Sequence, residues 1–84
     1  MQTKKELDKE VAANKIKRGN FGVKHQAVLE FIRDNKSLDL GLVKAFDELK
    51  AANLVRLNYL KDGFLLTSFG IAALEVFSET SKSN

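Results

Sequence analysis

Cysteine is absent from this 84-residue chain, and histidine occurs once, as His25. Without cysteine the chain has no disulfide framework and no zinc site built on cysteine ligands. Its carboxylates do not follow the spacing of a calcium loop, so we expect no metal and no cofactor. The lack of cysteine is compatible with a reducing cytoplasm, which is where we expect the protein to be located.

Long hydrophobic runs are missing as well. The first residues, MQTKKE, contain no apolar signal-peptide core, and no later run reaches the length of a transmembrane segment. We therefore expect an intracellular chain that does not enter a membrane. Its hydrophobic content of 44% is sufficient for one small core. A single domain of this size buries about 60% of its unfolded surface.

Acidic residues are absent between Glu10 and Glu30, although the net charge of the chain is only +3. This interval carries a basic block, whose members are Lys15, Lys17, Arg18, Lys24 and His25. Clustered positive charge suits phosphate groups and is typical of nucleic-acid binding. The alternative is a solvated helix face that keeps a small domain soluble, and the composition alone leaves both interpretations open.

Apolar spacing predicts helices over residues 4–17, 23–35 and 40–53. Thr3 and Glu6 fit a capping box for the first helix. Its predicted apolar stripe consists of Leu7, Val11, Ala12 and Ile16. The predicted inward residues of the other two helices are Val23, Ala27, Val28, Phe31 and Ile32, and then Leu42, Val43, Phe46 and Leu49. The pattern leaves open whether residues 1–20 form a packed helix or a mobile basic arm.

A hairpin is predicted after the third helix. Val55, Leu57 and Tyr59 alternate with polar residues, which is the period-2 pattern of a half-buried strand. Asp62-Gly63 supplies a tight turn, and residues 64–66 form the return strand. Leu60 and Phe64 near the tip are unusual on a solvent-facing ribbon. We expect them to pack against the N-terminal helix or against another protein.

The last predicted helix, over residues 68–79, begins at a cap provided by Thr67 or Ser68 and is apolar on nearly all sides. A helix with that pattern must be buried on all sides, which one small domain does only in part. We therefore predict a homodimer interface formed by Phe69, Ile71, Leu74, Val76 and Phe77. The polar residues 79–84 are predicted to be a disordered tail.

Two short motifs frame the hairpin. Leu49-Lys50-Ala51-Ala52-Asn53-Leu54-Val55 resembles the "L-x-x-x-G-L-V" pattern of winged-helix regulators of the MarR and PadR kind, with Asn53 in the place of glycine. Leu66-Thr67-Ser68-Phe69-Gly70 is similar to their "L-T-x-x-G". The chain departs from those regulators in having little room for a separate second helix before Val43 and in lacking an arginine-rich wing tip.

The resemblance implies an α+β, mainly helical fold: a winged helix-turn-helix with three to four helices and a two-stranded wing. The winged-helix domain would span residues 21–78, after an N-terminal basic helix or arm over residues 1–20. Such domains mostly bind double-stranded DNA, and their terminal helices often form dimers. The third helix would be the recognition helix, where Asp47 and Glu48 would be repelled by a duplex unless they face away.

Catalysis is not expected. His25 has no cysteine or serine-elbow partner, and the Asp8–Glu10 and Asp47–Glu48 pairs lack the facing geometry of an acid–base dyad. The leading hypothesis is a small dimeric transcriptional regulator that contacts DNA phosphates with low or shape-dependent sequence specificity. The predicted DNA contacts are Lys15, Lys17, Arg18, Lys24, Lys44, Arg56, Asn58 and Lys61. The alternative is a winged-helix module that docks onto a protein partner without binding DNA.

Overall fold

The computed structural model describes residues 3–58, 60 and 63–82 of the chain. Within them the fold is α+β and mainly helical, with four α-helices and one antiparallel hairpin. The elements are α1 Lys4–Gly19, α2 Val23–Arg33, a 3-10 turn Leu40–Leu42, α3 Val43–Ala51, β1 Val55–Leu57, β2 Phe64–Leu66 and α4 Ser68–Lys82. This order confirms the predicted fold class and fits a helix-turn-helix followed by a β-wing.

The ends of α1 follow from local chemistry. The Thr3 side-chain oxygen accepts a hydrogen bond from the Glu6 backbone N–H at 3.2 Å, as the capping pattern predicted. The helix ends at Gly19, and Asn20 takes a left-handed conformation with φ of 54°. Asparagine is one of the few residues that adopt this conformation readily. The Phe21 N–H then donates to the Ile16 carbonyl at 3.0 Å, and the chain turns into α2.

α1 is a helix packed against α4, with Ala12 completely buried. Ion pairs join Lys5 to Glu75 at 3.3 Å and Lys9 to Glu79, and the hydrogen bond from Lys9 to Glu79 raises the pKa of that lysine.

The predicted apolar stripe on α1 is only partly correct. Ala12 is buried and Ile16 packs against the core, whereas Leu7 and Val11 are 48% and 39% exposed. Successive residues of an α-helix are about 100° apart, which places Leu7 about 140° around the helix from Ala12. The two pairs therefore lie on different faces of α1.

The core lies between α2, α3, the hairpin and α4. Its largest fully buried side chains are Leu29, Leu49, Leu54 and Val28. The inward orientation predicted for Val28, Phe46 and Leu49 is confirmed, whereas Leu29 was not among the predicted inward residues.

Val23 and Val43 were predicted to point inward, and both predictions are wrong. Their side chains are 83% and 45% exposed. Each valine is the first residue of its helix, and the buried residues begin only later, at Val28 in α2 and at Ala45 in α3.

The hairpin pairs Val55 with Leu66, Arg56 with Leu65, and Leu57 with Phe64. Val55 is buried, but β1 ends at Leu57, which is already 47% exposed, so the buried part of the strand is shorter than predicted.

At the far end of the hairpin Gly63 has a φ of +148°, as a turn glycine requires. The other predicted turn residue, Asp62, lies outside the described residues, as does Tyr59. Phe64 meets Phe46 of α3 edge-on, with 4.6 Å between ring centroids, and Leu60 is 95% exposed. The prediction that Leu60 and Phe64 pack against the N-terminal helix is therefore wrong. Contact of Leu60 with a protein partner stays a prediction.

The two motifs that frame the hairpin meet at one junction. Asn53, two residues after the end of α3, has a left-handed φ of 64°, the conformation that suits the glycine of the related pattern. The Thr67 hydroxyl donates to the Asn53 carbonyl at 2.7 Å and accepts the Gly70 N–H at 3.1 Å, which confirms Thr67 as the cap of α4. The Thr67 N–H donates to the Leu54 carbonyl at 3.0 Å. These bonds fix the start of α4 against the end of α3.

α4 extends to Lys82, three residues beyond the predicted end of the helix. No helix in the described part of the chain combines the length and apolar character needed to cross a membrane.

Candidate nucleic-acid interface

The basic block divides where α1 ends. Lys17 and Arg18 lie in the last turn of α1 and are exposed, and Lys24 is exposed in the first turn of α2. The left-handed Asn20 between them reverses the chain, so these residues lie at one end of the molecule rather than along a single helix face.

A depression of about 340 Å³ opens at this end, between the end of α1, the start of α2 and the start of α3. Its lining residues are Gly19, Asn20, Lys24, His25, Gly41, Lys44, Ala45 and Glu48. Two of the predicted DNA contacts, Lys24 and Lys44, thus reach the same concave surface from different helices. Among the described residues, neither lysine has an ion-pair partner.

His25 forms one wall of the depression and is largely buried, with 13% of its side chain exposed. The Gly22 backbone N–H donates to His25 Nδ1 at 3.0 Å. With Nδ1 acting as an acceptor, the ring proton is on Nε2, which donates to Glu48 Oε1 at 3.0 Å. The ring also stacks on Phe21, with 4.4 Å between centroids. The sequence predicts His25 as part of the basic block, whereas in the structure its ring links α2 to α3 through Glu48.

A sequence signal for this role exists. Gly22 and His25 have the same three-residue spacing as Thr3 and Glu6, which is the spacing of a helix cap and the residue that returns to it. The contact between His25 and Glu48 has no local signature, because the two residues are 23 positions apart.

Lys15 is not part of this surface. Its ammonium group donates to the Ala52 carbonyl at 2.6 Å and lies 5.6 Å from the centroid of the Phe69 ring. The predicted phosphate contact at this position is replaced by an intramolecular one, because the side chain points from α1 toward the end of α3 and the start of α4.

The wing residues that were predicted to contact DNA are separated from the depression. Arg56 is exposed and lines a second concavity of about 380 Å³, which it shares with Asn53, Thr67 and Ser68. The Asn58 side-chain oxygen accepts the Leu60 N–H at 3.0 Å, so this amide stabilises the turn of the wing. Lys61 lies outside the described residues.

The outward face of α3 carries less free negative charge than the sequence predicts. Glu48 is engaged by His25, and the Lys50 ammonium group lies 5.0 Å and 5.7 Å from the Phe46 and Phe64 ring centroids. Asp47 stays exposed on the same helix as Lys44. Of the two acidic residues expected to oppose a duplex, one is therefore turned toward α2.

The predicted dimer residues on α4 are used mainly within the protomer. Phe69, Leu74 and Phe77 pack against the core, and Val76 is half-buried. Ile71 is 54% exposed. The apolar character on all sides of α4 is explained in large part by α1, α2 and β2, which surround it.

The fold and this surface define a class: a small helix-turn-helix with a β-wing and a basic depression at the start of α3. Among the described residues, no group of three or more histidine, aspartate or glutamate side chains is placed to hold a metal ion. Comparison with known proteins finds no matching family model, no matching curated protein and no matching solved structure.

Proposed function

We propose that this chain is a small winged-helix protein that binds double-stranded DNA through phosphate contacts around the depression and acts as a transcriptional regulator. The observation that carries the proposal is the convergence of Lys24 and Lys44 on one concave surface, beside the exposed Lys17 and Arg18. Double-stranded DNA presents one negative charge per ~1.7 Å of axis, so such a cluster can engage successive phosphates.

The junction between α3, the wing and α4 supports the winged-helix part of the proposal. Asn53 has the left-handed conformation for which the related pattern uses glycine, and Thr67 and Gly70 interact as one unit. The two short motifs thus meet in one physical arrangement, and this supports the proposal.

Low sequence specificity is part of the proposal. Phosphate contacts position a protein on DNA, whereas side chains that reach base edges specify the sequence. The exposed residues of α3 are Val43, Lys44, Asp47, Lys50 and Ala51, a set with few donors suited to base edges. We therefore expect recognition that depends on charge and DNA shape. A cytoplasmic location is part of the same proposal and is supported by the lack of cysteine, which is compatible with a reducing compartment.

A homodimer through α4 is also proposed, on a narrower basis. Ile71 is the predicted interface residue that stays more than half exposed, and it lies in a shallow groove that Lys5 and Asp8 of α1 help to line. Sedimentation velocity measures the oligomeric state directly. A monomer mass at the highest protein concentration used for DNA binding would rule out the dimer.

A protein-docking module is the second candidate. It is favoured by the apolar wing, where Leu60 is 95% and Leu57 is 47% exposed. Exposed apolar patches mark contact surfaces. The DNA-binding proposal and this one differ in which face is needed: the basic depression for DNA, and the tip of the wing for a protein.

The test is fluorescence-anisotropy titration of random-sequence duplex DNA at low and at physiological salt. The unmodified chain is expected to bind with micromolar affinity that falls steeply with salt. In K24A/K44A the magnitude of the slope of log affinity against log salt is expected to decrease by about 2, one for each lost phosphate contact.

The matched control is K4A/K36A. It removes the same charge at Lys4, the first residue of α1, and at Lys36, which follows the end of α2; both are exposed and neither lines the depression. An equal loss of slope in both variants would mean that net charge, and not this site, attracts DNA. If the unmodified chain does not bind DNA even at low salt, the DNA-binding proposal is wrong and the protein-docking alternative remains.

A further inference from the structure

Glu48 presents a problem for any phosphate site at the depression. It lies four residues after Lys44 on α3, and residues with this spacing are neighbours on a helix surface. An unrestrained Glu48 carboxylate would pair with the Lys44 ammonium group or oppose a phosphate approaching it. In the structure the carboxylate instead accepts a hydrogen bond from His25 Nε2 at 3.0 Å.

His25 is held in the one orientation that makes this bond. The Gly22 N–H occupies Nδ1, and the stacked Phe21 ring restricts rotation of the imidazole. The side chain of His25 is 13% exposed, while that of Glu48 is 43% exposed. The histidine is therefore the rigid partner, and the glutamate is the one that would move if the bond were lost.

We propose that His25 is a positioning residue of the DNA interface, which holds the Glu48 carboxylate toward α2 and leaves Lys24 and Lys44 available to DNA phosphates. This inference rests on the proposed function. It identifies the hydrogen bond from His25 to Glu48 as the contact that keeps the site cationic. His25 itself does not touch DNA. It acts through Glu48, by competing with Lys44 for the carboxylate.

The test is a double-mutant cycle measured by anisotropy with the same random-sequence duplex. In H25A the released Glu48 is expected to pair with Lys44 and so remove one phosphate contact. Affinity at low salt should fall about tenfold, and the magnitude of the salt slope should decrease by about 1. Adding E48Q to H25A is expected to restore both values, because the competing charge is gone. E48Q alone should change affinity by about twofold or less, since its amide oxygen still accepts from His25.

The matched control is D47N in the H25A background. Asp47 is the exposed neighbour of Glu48, so D47N removes the same charge from the same helix without touching the depression. Rescue by E48Q and not by D47N supports the inference. Equal rescue by both, or unchanged binding in H25A, overturns it while leaving DNA binding intact.

Folding of the variants is checked by circular dichroism. If H25A unfolds, H25F carries the same test, because it keeps a ring against Phe21 and removes the donor to Glu48. An absence of binding by the unmodified chain at low salt overturns the proposed function, and this inference with it. The two failures can be told apart. If the unmodified chain and the His25 variant bind DNA equally well, only this inference is overturned and the proposed function stands.

Discussion

Gly70 lies in the first turn of α4 at a position where the backbone of another segment approaches closely. A Cβ atom built on it would be 2.1 Å from the Leu54 carbonyl oxygen and 3.2 Å from the carbonyl carbon. The close approach lets Leu54 accept the Thr67 N–H while remaining completely buried. Glycine is therefore required here by space, not by an unusual φ.

Replacing this glycine with alanine is expected to destabilise the domain strongly. The neighbour of the new Cβ is backbone and not a flexible side chain, so α4 must shift from the hairpin. We expect G70A to lower the free energy of unfolding by roughly 3 kcal/mol, at the upper end of overpacking effects. That is a large fraction of the roughly 5 to 15 kcal/mol by which native domains are stable.

Urea denaturation followed by circular dichroism measures this loss. The control is G41A, because an added Cβ on Gly41 meets no atom within 4 Å. A G70A midpoint equal to that of G41A would show that α4 accommodates the added methyl group without loss of packing.

At the scale of elements, α4 shows why a helix can be apolar on nearly all sides in so short a chain. Ala72 and Ala73 are buried, and Phe69, Leu74 and Phe77 pack against the core. α1 supplies the cover that a minimal helix–hairpin unit would lack. The apolar surface of α4 is thus buried mainly by α1. A second copy of the chain would cover only the part that α1 leaves exposed.

The start of α4 depends on a single hydroxyl group. Thr67 Oγ1 both donates to the Asn53 carbonyl and accepts the Gly70 N–H. We expect T67V, which keeps the shape and removes both bonds, to lower the free energy of unfolding by about 1 to 2 kcal/mol. Thermal unfolding with T67S as the control checks this. If T67S, which retains the hydroxyl, lost as much stability as T67V, packing of the methyl group and not capping would be responsible.

At the scale of the molecule, α1 is packed onto the rest of the domain through α4. Its buried Ala12 and its ion pairs to Glu75 and Glu79 all contact α4. The basic residues at its other end, Lys17 and Arg18, are placed beside α2 as a consequence. The docking of α1 thus determines where the positive charge of the chain lies.

We expect A12D to destabilise the entire domain, not only α1. A carboxylate at this site would be removed from water without a partner, at a cost of roughly 3 kcal/mol or more. N14D adds the same charge at the exposed Asn14 and is the control. Amide hydrogen exchange separates the possibilities: faster exchange confined to α1 would mean that residues 1–20 behave as an independent arm.

The sequence by itself determined the order of elements, since helix spacing, the Thr3 and Thr67 caps and the alternation at Val55 are local signals. It also identified the charged residues, because charge needs no fold to be counted. Tertiary structure decided their roles: it turned Lys15 inward to Ala52, separated Arg56 from Lys24 and Lys44, and joined His25 to Glu48. These outcomes depend on contacts between residues far apart in the chain. The local sequence of one helix does not determine how that helix is oriented against another.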